Sequence, residues 1–197
     1  MDSRRATRIA FDLDGTLANF TGSMIREVKE REGIDLTQET LLRAWDECDT
    51  EVGQAVHRVH EFSPTLWTDM DSLASPEEAA RIQELANDRH STVLFMTYRP
   101  TSTHHDNYEW LQRTLGIKYP ILLSGAEDKS DICRGMKVQH HIDDRWFIAH
   151  DIKLSCPNTT SYLIDQEYNQ DHNCEAHGIV RVNNISEFLD MSVPKGV

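Results

Sequence analysis

Short apolar runs recur along the chain, and between them apolar positions fall three and four residues apart. Residues 92–97 (TVLFMT) are almost wholly β-branched or apolar, the pattern of a strand covered on both faces. Residues 8–12 (RIAFD), 120–124 (PILLS), 139–143 (QHHID), 159–164 (TTSYLI) and 178–182 (GIVRV) read as further short strands. Ser75-Pro76-Glu77-Glu78 opens a helix: a serine N-cap, proline at the first helical position, and a glutamate that completes a capping box. Ala79, Ile82, Leu85 and Ala86 then repeat at helical spacing. Residues 103–115 predict a second helix, with Tyr108, Leu111 and Leu115 on one face. Strands that alternate with helices predict βαβ units: an α/β protein with a three-layer, Rossmann-like parallel sheet.

The stretch from 18 to 74 breaks this alternation. It contains no convincing strand and reads as helices over 22–32, about 37–48 and about 50–60. That is too much chain for a simple crossover after the first strand. The expected organisation is a core domain, 1–17 and 75–197, with a small helical cap, 18–74, over the mouth of the sheet.

The length of 197 residues suits one domain with an insertion. Twenty Lys and Arg against 33 Asp and Glu give a net charge of −13, which disfavours a nucleic-acid polymer as partner. The same charge repels a small phosphate ester unless a metal or a local cation inverts the field at the site. No run of 18 apolar residues predicts a membrane span. The polar start MDSRRATR does not read as a signal peptide. Cys48, Cys133, Cys156 and Cys174 are widely spaced and form no CxxC pair, so reduced thiols in a cytoplasm are expected.

Ligands of open parallel sheets bind at the carboxyl ends of the strands, and the chemistry gathers there. The first strand ends in Phe11-Asp12-Leu13-Asp14-Gly15-Thr16-Leu17. Two carboxylates so close repel each other unless a cation lies between them or one is protonated. An Asp-Gly turn is the plain alternative. The strand 92–97 ends at Thr97, followed by Tyr98-Arg99-Pro100, which alone reads as a helix cap. Lys129 follows the strand 120–124, and a buried strand ends in Asp143-Asp144. Taken together, the acids suit a hard divalent ion with oxygen ligands and open water positions, such as Mg²⁺. Thr97 and Lys129 suit phosphoryl oxygens. That leaves one acid to attack phosphorus and one to shuttle a proton.

The order FDLDGTL, then Met96-Thr97, Lys129 and Ile142-Asp143-Asp144 closely resembles the four motifs of the haloacid dehalogenase-like (HAD) phosphatase superfamily. An acid two residues after the nucleophile implies phosphoryl transfer, which the dehalogenases of that superfamily do not perform. The resemblance implies that Asp12 is the nucleophile and forms an aspartyl-phosphate, and that Asp14 is the general acid and then the base. It implies Mg²⁺ bound by Asp12, the backbone carbonyl of Asp14 and one acid of the Asp143–Asp144 pair. Asp144 is the expected direct ligand and Asp143 its support. Thr97 would hydrogen-bond the phosphoryl group, and Lys129 would neutralise it; Tyr98 and Arg99 are further phosphate-binding candidates. Phosphoryl transfer is mostly positioning and charge neutralisation, which these residue types supply.

Within the superfamily, Leu17-Ala18-Asn19-Phe20, the exit of the insertion (HEFSPTLWTDMDSL), His104-His105 with Tyr108 and Trp110, and Tyr162-Leu163-Ile164-Asp165 with Tyr168-Asn169 are similar to the 5′(3′)-deoxyribonucleotidases and their bacterial 5′-nucleotidase relatives. The resemblance implies a small-molecule phosphomonoester substrate, a (deoxy)nucleoside monophosphate. A nucleobase wants a flat apolar surface, and Phe20, Trp45, Phe62 and Trp67 are the candidates; packing of the cap onto the core is the alternative for each. Tyr98-Arg99 stands where the mammalian enzymes have Ser-Pro, which leaves base and sugar preference open, with Arg99 either on the phosphate or pointing to solvent. A sugar-phosphate phosphatase or phosphomutase, a nucleic-acid end phosphatase, and an idle relative that binds a phosphorylated ligand are the competing readings. His172-x-Cys174-x-x-His177 has metal-like spacing but reads as a polar loop, and His140-His141 as part of a packed strand.

Overall fold

The computed structural model describes residues 7–125 and 128–193. Six strands form one parallel sheet: β1 (Thr7–Asp12), β2 (Ser91–Thr97), β3 (Ile121–Ser124), β4 (His140–Asp143), β5 (Thr160–Ile164) and β6 (Val180–Val182), in the spatial order β3-β2-β1-β4-β5-β6. Helices α4 (Pro76–Asn87), α5 (His104–Leu115), α6 (Lys129–Met136), α7 (Trp146–Ser155) and α8 (Ile185–Ser192) connect and flank it. This is a three-layer, Rossmann-like α/β fold, as expected.

Side chains alternate across the sheet and divide the core in two. Ile9 and Phe11 of β1, Val93 and Phe95 of β2, and Tyr162 and Ile164 of β5 meet Ile82, Leu85, Trp110 and Phe188 of α4, α5 and α8. Ala10, Leu94 and Met96 point the other way, against Cys133 of α6 and Ile152 of α7. Strands buried on both faces explain the apolar runs that made them legible. At α4, Ser75 accepts from the Glu78 amide and Glu78 reaches back to the Ser75 amide. A cap of this kind contributes about 1 kcal/mol.

Three helices lie between β1 and β2: α1 (Phe20–Glu32), α2 (Gln38–Asp46) and α3 (Glu51–Phe62). They pack on one another and bury Met24 and Val28, Leu41 and Ala44, and Val56 and Val59. The chain entering this insertion is stitched to the chain leaving it. Asn19 N–H donates to Asp71 O at 2.9 Å and Leu73 N–H to Leu17 O at 2.8 Å, around an antiparallel bridge between Ala18 and Ser72. Buried Glu27 of α1 ties the exit segment, accepting from Ser63 at 2.6 Å and Thr65 at 2.8 Å and pairing with Arg31 at 2.7 Å. Among the described residues no helix is long and apolar enough to cross a membrane. All four cysteines are unpaired, with Cys48 exposed and the others buried.

Candidate active site

Strand order reverses on either side of β1, so the crevice lies where the carboxyl ends of β1, β2 and β4 come together. Parallel register sets Asp12 beside Met96 and Phe11 beside Ile142, so Asp12, Thr97 and Asp143 emerge at one level. Lys129 does not sit at a strand end, as its sequence position suggested. It is the first residue of α6, whose N-cap Asp128 accepts from the Asp131 amide. The connection after β3 runs several residues further, and the long lysine side chain reaches back into the cluster.

Lys129 Nζ donates to Asp12 Oδ1 at 2.5 Å and to Asp143 Oδ2 at 2.8 Å, and all three residues are buried. The other oxygen of Asp143 accepts from the Arg145 amide at 2.9 Å, so both its oxygens are engaged. Asp144 accepts from the Tyr168 hydroxyl through Oδ2, and Asn169 fixes its backbone carbonyl at 2.8 Å. Two carboxylate oxygens remain buried without a hydrogen bond: Asp12 Oδ2 and Asp144 Oδ1. Ligand-type atoms of Asp12, Asp143 and Asp144 lie within 4.8 Å of one another, the one such group among the described residues. Gly15 turns the chain here with φ of 78°; a Cβ at this position would strike Asp144 Oδ2 and the Tyr168 hydroxyl.

The charges record the crowding. Burial, with Asp143, Asp144 and Asp14 nearby, raises the Asp12 carboxyl well above the usual range despite Lys129. Burial and then the Asp143 charge push Asp144 up to about 7. Burial also works against Asp143, but the Lys129 ammonium outweighs it and holds this carboxyl below the ordinary value. Burial opposes the charge on Lys129, yet Asp12 and Asp143 keep it protonated far into the alkaline range. Four carboxylates, counting Asp14, face two cations, Lys129 and Arg99. The two orphaned oxygens and the surplus negative charge fit a hard divalent cation.

Arg99 does not point to solvent. It is 2% exposed, and its guanidinium grips Asp14, with Nε 3.0 and 2.9 Å from the two carboxylate oxygens and Nη2 at 2.5 Å. Asn107 Oδ1 accepts from Nη1 at 2.6 Å, and the guanidinium lies over the Trp67 ring at 5.1 Å. Thr97 Oγ1 meets Asp14 Oδ2 at 3.3 Å and accepts from the Arg99 amide at 3.3 Å. The Tyr98 side chain is 69% exposed, which leaves only its backbone as a phosphate-binding candidate.

Phe20 lies parallel to Trp67 at 5.9 Å and edge-on to Trp45 at 6.0 Å. Trp67 is 2% exposed, covered by Phe20 and Arg99, so Phe20 and Trp45 present the accessible surface. Phe62 is not brought to this cluster: it is 71% exposed and makes no ring contact among the described residues. It lies about 200° around α3 from His60, on the opposite side of the helix. His60 itself, together with Asn107 and Tyr168, belongs to the site although strand-end reasoning passes over it. The 172–177 loop packs its imidazoles around Trp146, with His172 parallel to it at 4.7 Å. His141 is fully buried, and burial lowers it to about 4.

The family profile of the 5′ nucleotidase, deoxy (pyrimidine), cytosolic type C protein (NT5C) matches residues 5–195. No curated protein sequence matches the chain significantly. Among solved structures, a dehalogenase aligns at 15% identity and a TM-score of 0.64, covering 99% of this chain and 100% of that one. A haloacid dehalogenase-like hydrolase from Streptococcus pneumoniae aligns at 14% identity and 0.62, covering 94% and 97%. A predicted phosphatase from Clostridium acetobutylicum aligns at 12% identity and 0.62, covering 95% and 98%. These structural likenesses establish the shared HAD fold, and the profile spans nearly the whole chain. The chain belongs to the NT5C family of 5′-nucleotidase-type phosphatases, within the HAD superfamily.

Proposed function

We propose that the protein is a Mg²⁺-dependent, cytosolic phosphomonoesterase that dephosphorylates (deoxy)nucleoside monophosphates through an aspartyl-phosphate on Asp12. One observation carries the reading. Asp12 keeps an unpaired oxygen in a buried cluster where Lys129 holds its partner oxygen and Asp144 offers a second unpaired oxygen. A carboxylate so held is aimed and desolvated, which suits it to attack phosphorus.

Asp144 Oδ1, the Asp14 carbonyl and one oxygen of Asp12 would hold the magnesium ion, leaving the other Asp12 oxygen to attack phosphorus. When bound, it supplies positive charge that offsets the phosphoryl group and the acids around it. Asp143, with both oxygens engaged by Lys129 and Arg145, positions Lys129 instead of ligating. Lys129 steadies the nucleophile and neutralises a phosphoryl oxygen. Thr97 Oγ1 donates to another, and the Tyr98 backbone lies beside it. Arg99 and Thr97 hold the Asp14 carboxylate in the structure. Phosphoryl oxygens compete for Arg99; Asp14, released and carrying a proton taken from solvent, would protonate the leaving alkoxide, and the carboxylate it becomes would activate water.

Helices α1–α3, bounded by the paired segments at 17–19 and 71–73, act as the cap of residues 18–74 over the core formed by 1–17 and 75–197. Two parallel rings that sandwich a base stand about 7 Å apart. Phe20 and Trp67 at 5.9 Å are too close for that, so the base lies on the outer face of Phe20, with Trp45 beside it. Phosphate release from a nucleotide panel, with and without Mg²⁺, tests the assignment. Asp12→Asn should retain the fold and lose at least a thousandfold in kcat. Full activity in that variant would end the mechanism.

A further inference from the structure

His60 stands in the last turn of α3, where three aromatic rings converge on it. Its imidazole meets Trp45 edge-on at 4.9 Å, Trp67 at 5.0 Å and Phe20 at 6.3 Å. Phenylalanine would satisfy all of these contacts. The imidazole nevertheless brings two polar nitrogens into a half-buried place, and neither has a hydrogen-bond partner among the described residues. Neither nitrogen is among the buried unpartnered atoms, so both still reach solvent, and a ligand that displaces that water must supply the partner in its place.

The surroundings indicate which part of a ligand that is. The charges His60 senses are Asp14 and Arg99 from the core and His57 one turn back on its own helix. Burial keeps the ring neutral, with one donor and one acceptor nitrogen. Its place follows from Trp67, whose ring meets the Arg99 guanidinium at 5.1 Å and the His60 imidazole at 5.0 Å, so His60 sits one ring away from the Asp14–Arg99 pair and beside the aromatic surface. With phosphorus at Asp12 and the ester oxygen at Asp14, the moiety between phosphate and base is the sugar. A hydroxyl both donates and accepts, which complements a neutral imidazole.

We propose that His60 is a specificity-determining residue that hydrogen-bonds a free sugar hydroxyl of the substrate, selecting nucleoside monophosphates that carry one over those that lack it. This rests on the nucleotidase reading above and adds to it a residue of the insertion and a chemical feature of the ligand.

The test is a substrate-by-variant square. Wild type and His60→Phe are assayed on a 2′-deoxynucleoside 5′-monophosphate, on its 2′,3′-dideoxy counterpart, and on phenyl phosphate, which has no sugar. Wild type should prefer the hydroxylated nucleotide by about tenfold in kcat/KM, the size of one ligand hydrogen bond. His60→Phe should bring that ratio close to one, mainly through KM, with a smaller change on phenyl phosphate than on the hydroxylated nucleotide. His60→Asn, which restores a donor and an acceptor, should recover part of the ratio; it also serves if the phenylalanine variant fails to fold. An unchanged ratio in the variants, no preference in wild type, or an equal loss on all three substrates would each overturn the assignment. Failure of the nucleotidase reading is separate: wild type would then turn over phenyl phosphate but neither nucleotide, or release phosphate from nothing.

Discussion

Replacing Asp144 by asparagine should make the metal-free protein more stable while it ruins activity. Burial and the neighbouring Asp143 raise the Asp144 carboxyl from 3.8 to about 7. Between those values the folded state holds a proton that the unfolded chain has released, so stability falls as pH rises through the window and is flat above it. The full shift amounts to about 4 kcal/mol above pH 7, and about 2 kcal/mol has been lost by pH 5. Asparagine carries no such penalty. Its oxygen can still accept from Tyr168, and its amide would face the unpaired Asp12 Oδ2. In EDTA, urea denaturation should show the variant ahead of wild type by up to about 4 kcal/mol at pH 8, by less at pH 5, and level with it near pH 4. That is a rise in Tm on the order of 10 °C at pH 8 for a chain of this size. Millimolar Mg²⁺ should narrow or reverse the gap, because binding stabilises the wild type. An Asp144→Asn protein less stable than wild type at pH 8 without metal, or a gap that does not grow with pH, would refute the electrostatic account.

Lys129→Met removes the cation that Asp12 and Asp143 share. Stranding buried carboxylates should cost about 3–5 kcal/mol at neutral pH and less in acid, read from denaturation midpoints. Phe20→Ala removes the exposed face of the aromatic cluster. It should raise KM for nucleotides about tenfold or more and leave a small phosphate ester untouched; equal losses on both would count against base stacking.

The strand ends were legible because β1, β2 and β4 are buried on both faces and stop at polar residues. Asp12 and Thr97 end apolar runs and Asp143 ends a buried strand, and their conjunction outweighs the turn and cap readings that each allows alone. Asp144 and Lys129 followed from the same logic, although Lys129 belongs to a helix whose start the short, polar segment 125–128 concealed. Side-chain direction was less legible. Arg99 lies one residue beyond exposed Tyr98, and the Asp14, Asn107, Trp67 and Met70 side chains, far off in sequence or on another element, determine that it turns inward. Residue type and the resemblance at the exit of the insertion point to Phe62; helical phase places His60 inward and Phe62 outward.

The paired segments at 17–19 and 71–73 bring the two ends of the insertion together, and Trp67 and Met70 near its exit dock on Arg99 and Trp110 of the core. On the proposed function, the residues that would select a leaving group come largely from this insertion, while those that would handle phosphorus lie at the strand ends and the start of α6. A different helical insert with the same two ends could be grafted onto this trunk without re-registering any strand. On that reading, an exchanged insert that keeps the Trp67 and Met70 contacts should alter substrate range and leave the phosphoryl chemistry in place.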